Sequence, residues 1–126
     1  MTRMKLGMAM IAAVAMSAAA SQALAQSACT APKVPAPVDG RTATIDQVLA
    51  SKQATLAFMD ASDTYQSCVL GELANAKAAA AQNKTELPAT AADRANGEVA
   101  ANQADKEKVG AAFNDSVRAY HAAHPN

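Results

Sequence analysis

Two histidines, two cysteines and a scatter of carboxylates are the residues here that could do chemistry. His121 and His124 stand three apart near the end of the chain, a spacing that puts both rings on one face of a final helical turn. Such a pair can offer a metal two ligands, but a specific site needs three or four. No cysteine or nearby carboxylate is plainly placed to complete it, so His121 and His124 are weak metal candidates. Imidazoles near a helix C-terminus also have a use without metal, since they interact well with the helix dipole. Haem has less support still, because no Cys-x-x-Cys-His attachment occurs.

The carboxylates Glu98, Asp105, Glu107 and Asp115 are interleaved with Lys106, Lys108 and Arg118, as on a solvated helix face with local ion pairs. None stands out as an acid/base partner of another. Gly-x-Ser-x-Gly, Gly-x-Gly-x-x-Gly and Walker loops are all missing. The chemistry-bearing residues therefore predict no enzyme and no cofactor, and the chain has to be read through its architecture.

That architecture begins with an export signal. Arg3 and Lys5 precede the apolar run Leu6 to Met16, and small residues then lead to Ala23-Leu24-Ala25. The run is well short of the roughly 20 residues a membrane span needs, but it suits the core of a cleavable signal. Residues 1–25 are therefore expected to be removed before Gln26, with export through the general route, since no twin-arginine pair is present. Lipidation at Cys29 is the rival, but Gln26-Ser27-Ala28 makes a poor lipoprotein box. The setting is thus periplasmic or secreted.

Cleavage takes away two of the eleven Lys and Arg residues and none of the eleven Asp and Glu. Nine positive charges against eleven negative give no reason to expect nucleic acid or an anionic membrane as partner. About 100 residues with only Phe58, Tyr65, Phe113 and Tyr120 as aromatics can build one small domain with a thin core. Thin cores need help from a disulfide, a metal or a second subunit. An oxidising compartment supplies the staple, and Cys29 and Cys68 are expected to form one disulfide.

The elements follow in order. Residues 26–44 form an extended arm, since Pro32, Pro35 and Pro37 exclude helix and Asp39-Gly40 marks a turn. Thr44 and Gln47 make a capping box for a first helix over about 45–82. Ile45, Val48, Leu49, Leu56, Met59, Leu70 and Leu73 share one stripe of it, predicted to pack on the second helix. A second stripe of Ala54, Phe58, Ala61, Tyr65, Cys68 and Val69 lies roughly opposite. The arm is long enough to run back along that stripe, cover Phe58 and Tyr65 and lock at Cys68.

Asn83 ends the first helix, and Thr90 is placed to cap a second over about 91–122. Its seam reads Ala92, Ala95, Val99, Asn102, Lys106, Val109, Phe113, Val117, Tyr120 and Ala123. The fold class is therefore all-α, an antiparallel two-helix hairpin over 45–126 with coiled-coil character, its proline-rich arm tied back by the disulfide. In the expected register Leu70 faces about Asn102, Asp63 or Gln66 faces about Lys106, and Met59 faces about Phe113. Asp63, Gln66, Asn102 and Lys106, with Gln103 beside them, then form a polar layer in mid-seam. Such a layer is a register device, or the floor of a binding site.

Ala101-Asn102-Gln103-x-Asp105-Lys106, Val109-Gly110, Phe113-Asn114, Ala119-Tyr120 and His124-Pro125, with Tyr65-Gln66-x-Cys68 and Asp39-Gly40, resemble a family of small secreted proteobacterial proteins with no assigned activity. The resemblance implies a periplasmic setting and carries over no functional residue. The expected role is a non-enzymatic interaction or structural protein, with a homodimer or another protein as partner. The alternative is a metal or small-ligand binder using the C-terminal histidines and the polar mid-seam.

Overall fold

The structure, a computed structural model, describes residues 28–125. The export signal expected over 1–25, its cleavage before Gln26 and the first two residues of the arm lie outside the described residues.

Two helices make up the framework, α1 over Ile45–Gln82 and α2 over Ala89–Ala123. Among the described residues there is no strand. At 1.5 Å per residue the helices are about 57 and 52 Å long. The start of α1 is set by its own side chains. The Gln47 amide N–H donates to Thr44 Oγ1 at 3.3 Å, and the Thr44 N–H donates to Gln47 Oε1 at 2.8 Å. Two otherwise unpaired donors of the first turn are thereby satisfied.

The end of α1 is set by backbone geometry. Asn83 is its C-cap, and the next residue, Lys84, takes the left-handed conformation at φ 53°. The Thr85 N–H reaches back to the Ala80 carbonyl and the Lys84 N–H to that of Ala81, at 2.9 and 3.2 Å. This pair of bonds is a Schellman closure, which satisfies carbonyls the helix would leave bare.

The start of α2 differs from expectation. It begins at Ala89 with Pro88 as N-cap and no side-chain cap, so Thr90 is inside the first turn and does not cap it. Proline has no N–H to leave unpaired and its φ of −56° is already helical, so the helix starts from the Pro88 carbonyl. That carbonyl accepts from the Ala91 N–H at 2.9 Å.

The two helices close into a hairpin, and side-chain bonds join them. Tyr65 reaches Glu98, Gln66 reaches Asn102, and Asp63 reaches Lys106. Met59 then sits against Gly110, its Cε 3.8 Å from where a Cβ would stand there. The Asp63–Lys106 pairing agrees with the expected register. Asn102, however, meets Gln66 and Ser62 instead of Leu70, an offset of about one helical turn.

The packing face of α1 is the larger correction. Ile45, Leu49, Leu56 and Leu70, expected to pack on α2, are 51%, 53%, 49% and 47% exposed. The buried residues are Val48, Phe58, Ser62, Tyr65 and Val69. They belong to a finer seventh-residue repeat, Val48, Thr55, Ser62 and Val69, flanked by Ser51, Phe58, Tyr65 and Glu72. Its partner on α2 is equally regular, with Ala95, Asn102, Val109 and Ser116 buried at every seventh position. Valine, alanine and short polar residues occupy the two repeats, Phe58 and Tyr65 flank them on α1, and Ile45, Leu49, Leu56 and Leu70 stand outside.

The arm explains why. Tyr65, Val69 and Ala95 form the core cluster, and Cys29 packs against it together with Leu73 and Val99. Cys29 is bonded to Cys68, with Cα atoms 5.8 Å apart. From there Cys29, Pro32, Pro35 and Val38 are half-buried while the residues between them are exposed, a spacing of three residues. The seam thus buries its stripe against two neighbours, α2 and the arm. The arm's far end is fixed at α2, where the Ser116 hydroxyl donates to the Val38 carbonyl.

Candidate functional site

The mid-seam polar layer is the most developed cluster of chemistry-bearing side chains. Ser62, fully buried, and Asn102, 6% exposed, form its centre. The Asn102 amide donates through Nδ2 to Ser62 Oγ at 3.2 Å and accepts at Oδ1 from Gln66 Nε2 at 2.9 Å. One turn further, Lys106 Nζ pairs with Asp63. The lysine is the better covered partner, its side chain 18% exposed against 65% for the aspartate. Of the expected members, Asp63, Gln66, Asn102 and Lys106 all meet across the helices. Gln103 does not join them; it is exposed and donates to Glu107 at 3.3 Å.

Ser62 is the member that sequence reasoning missed. Its signal was the seventh-residue spacing from Thr55 and Val69, which hydrophobicity alone does not weight. Asn102, Ser62 and Gln66 bond one another in series, and among the described residues no fully buried side-chain nitrogen or oxygen lacks a partner. A buried amide satisfied in this way fixes the helix offset, because sliding by one turn would strand it.

Tyr65 carries the one shifted group near this layer. Its hydroxyl donates to Glu98 Oε2 at 3.5 Å. Burial, and after it the nearby Glu98 charge, pushes the phenol above its ordinary value of 10.0. Glu98 in turn lies 3.7 Å from Arg94. Glu98 and Arg94, with Glu72 opposite, line a cleft of about 390 Å³ between the helices near the hairpin turn. Glu72 Oε1 accepts the Ala28 N–H at 2.9 Å, so it holds the start of the arm.

The histidines take a different arrangement from a ligand pair. The His124 ring stacks on Tyr120 at 4.3 Å, and its Nδ1 is 3.0 Å from the Tyr120 carbonyl oxygen. His121 meets the same ring edge-on at 6.0 Å. Both imidazoles are exposed, and they cap and cover the end of α2. Among the described residues, the one grouping of three metal-type ligand atoms is Cys29, Cys68 and Glu72. Its two sulfurs are bonded to each other, which removes the thiolates a metal would need.

A second cleft lies between the arm and both helices. Val34, Pro35, Thr55, Val109 and Phe113 line it with Lys108 at its edge, and its volume is about 210 Å³. That is below the ~300–1,000 Å³ usual for small-molecule pockets. It is a packing seam between arm and hairpin more than a chamber.

The helices present one more feature, on the outside of α1. Ile45, Leu49, Leu56 and Leu70 fall within about 60° of one another at 100° per residue. No helix among the described residues is long and apolar enough to cross a membrane. Fold and site together define a disulfide-stapled helical hairpin with a satisfied polar layer and an apolar outer stripe. Compared with known proteins, the chain matches no family model, no curated protein and no solved structure.

Proposed function

We propose that this chain is a non-enzymatic interaction or structural protein of the periplasm or the extracellular space. Its working form is an antiparallel hairpin strapped by the proline-rich arm, released by cleavage before Gln26. The observation that carries the reading is the outer stripe of α1. Four large aliphatic side chains, each about half exposed, are held on one face of a long helix whose buried face is engaged by α2 and the arm. Aligned exposed apolar side chains on a small domain mark a contact surface, unlike single scattered ones. The Cys29–Cys68 bond supports the compartment, because structural disulfides persist where the surroundings are oxidising.

The polar layer supports the same reading. Its groups bond one another across the helices, which suits a register device better than a ligand floor.

Crosslinking in intact cells tests the proposal. The exported chain is expected to give a defined crosslinked species, lost in a Leu49→Asp, Leu56→Asp variant that keeps its helicity. A wild-type chain that stays uncrosslinked, or a variant that crosslinks as well as wild type, overturns it. The intact mass of the exported chain, read in the same extract, should begin at Gln26.

A further inference from the structure

The outer face of α1 contains more order than four aliphatic residues. Ile45, Leu49, Lys52, Leu56, Met59, Asp63, Gln66 and Leu70 follow one another at steps of four and three. That is the spacing of a coiled-coil seam, distinct from the seventh-residue repeat that packs on α2. Met59 and Gln66 are half-buried along its edge, and the other six are exposed.

We infer that the partner of this face is a second copy of the same chain, its α1 laid in the opposite direction about a two-fold axis between residues 57 and 58. The inference rests on the interaction reading above and names its partner.

The seam is self-complementary in that orientation. Ile45 of one copy falls opposite Leu70 of the other, Leu49 opposite Gln66, Lys52 opposite Asp63, and Leu56 opposite Met59. Two-fold symmetry repeats every layer, so each Lys52 meets an Asp63 and each Ile45 meets a Leu70. Opposite charges fall together at the two symmetric charged layers, and the apolar residues occupy the centre and the ends. Asp63 already accepts Lys106 from its own α2 while its side chain remains 65% exposed, which leaves room for a second cation.

The other direction fails on the same residues. With the two α1 helices parallel, Lys52 would face Lys52 and Asp63 would face Asp63, and like charges across a helix seam are unfavourable. A lipid surface fits poorly as well, since Asp63 stands in the middle of the stripe and Asp60 beside it. The contact runs from residue 45 to residue 70, about 38 Å of helix. Ile45, Leu49, Lys52, Leu56, Asp63 and Leu70 already stand exposed on the monomer, while Met59 and Gln66 keep their contacts with Gly110 and Asn102 at the edge of the seam.

The experiment is sedimentation velocity on the oxidised mature chain and two variants, Ile45→Glu and Leu70→Lys. Both positions are exposed, so each variant should keep its helical circular dichroism and its disulfide. Wild type is expected to pass from monomer to dimer with concentration. Each variant alone places a charge against an aliphatic side chain in two layers and should be monomeric over the same range. An equimolar mixture should regain the dimer. The carboxylate introduced at position 45 of one chain then faces the ammonium introduced at position 70 of the other, and the remaining end layer pairs the native Leu70 with the native Ile45.

A wild type that stays monomeric overturns the inference. So does a dimer that survives in either variant, or a mixture that stays monomeric. If wild type is monomeric but its crosslinked species still depends on Leu49 and Leu56, the interaction reading stands and the second copy is excluded as its partner. If wild type co-sediments with phosphatidylglycerol vesicles and not with itself, a lipid surface takes the face instead and the inference falls.

Discussion

Gly40 and Ser116 approach so closely that a Cβ at residue 40 would lie 1.8 Å from the Ser116 carbonyl oxygen. The arm's turn, in which the Ala43 N–H bonds the Asp39 carbonyl at 3.0 Å, is pressed backbone to backbone against the last third of α2. Ser116 adds to this contact through its side chain, bonding the Val38 carbonyl just before the turn. Gly40→Ala must push the turn off the helix. A loss of about 1–3 kcal/mol is expected, in the range of overpacked cores, and a urea melt measures it. Gly97→Ala is the control. It meets open space in a helix interior and should raise stability by about 0.5–1 kcal/mol.

Opening the Cys29–Cys68 bond should release the arm before it melts the helices. The bond spans 39 residues, and the loss of loop-closure constraint corresponds to about 4 kcal/mol in the entropy model. In Cys29→Ser, Cys68→Ser the segment 30–40 is expected to become protease-sensitive while the far-ultraviolet helical signal persists at low temperature. Equal protease resistance in the oxidised and mutant chains would show that Val38, Gly40 and Ser116 alone suffice to hold the arm.

Asn102 should be destabilising to shorten alone and tolerant of replacement together with its partners. Asn102→Ala removes the acceptor of Gln66 and the donor to fully buried Ser62, a loss of about 1–3 kcal/mol by thermal or chemical melt. Replacing the layer with Ser62→Ala, Gln66→Leu and Asn102→Leu should leave stability equal or higher. The apolar seam then tolerates a slide by one turn, and doubled amide resonances in an NMR spectrum are the expected sign. A single sharp set of resonances would move the register function elsewhere, to Asp63 and Lys106.

Tyr65 makes stability fall at high pH. Its folded-state pKa is raised above the ordinary 10.0 by burial and by Glu98. The unfolded chain therefore loses the phenol proton first as pH rises. The contribution is fully present below about pH 10 and is lost as pH climbs through the folded-state value. Tyr65→Phe should remove the part of the tyrosinate absorbance that appears above pH 10 from the buried phenol and flatten the alkaline loss of stability.

Much of this architecture is legible in the sequence because it is local. Thr44 and Gln47 announce the start of α1, three prolines exclude helix from the arm, and two cysteines have only each other to pair with. The polar mid-seam is legible too, since Asp63, Gln66, Asn102 and Lys106 follow from hairpin length and loop position to within a turn. The packing face of α1 is not. Leu49, Leu56 and Leu70 outweigh Thr55 and Ser62 on any hydrophobicity scale, yet the face that is buried is the one carrying Phe58, Tyr65 and Val69, to which Cys29 is tied through Cys68. The arm's inward face, Cys29, Pro32, Pro35 and Val38, has a period of three that helix and strand templates pass over. Thr90 misleads for a related reason: it is a good cap two residues inside a start that Pro88 had already provided.

The disulfide sits at the very front of the arm, and that placement decides how the molecule would carry tension. A pull applied ahead of Cys29 crosses to α1 at Cys68 through covalent bonds. The backbone threaded between those two residues, the whole proline arm and more than half of α1, is then bypassed as a covalent path. The hydrogen bond from Ser116 to Val38 and the tight seat of Gly40 join this bypassed loop to α2. A pull between the front of the chain and the end of α2 would therefore load the hairpin turn along the covalent path and the arm's docking at Ser116 in parallel with it.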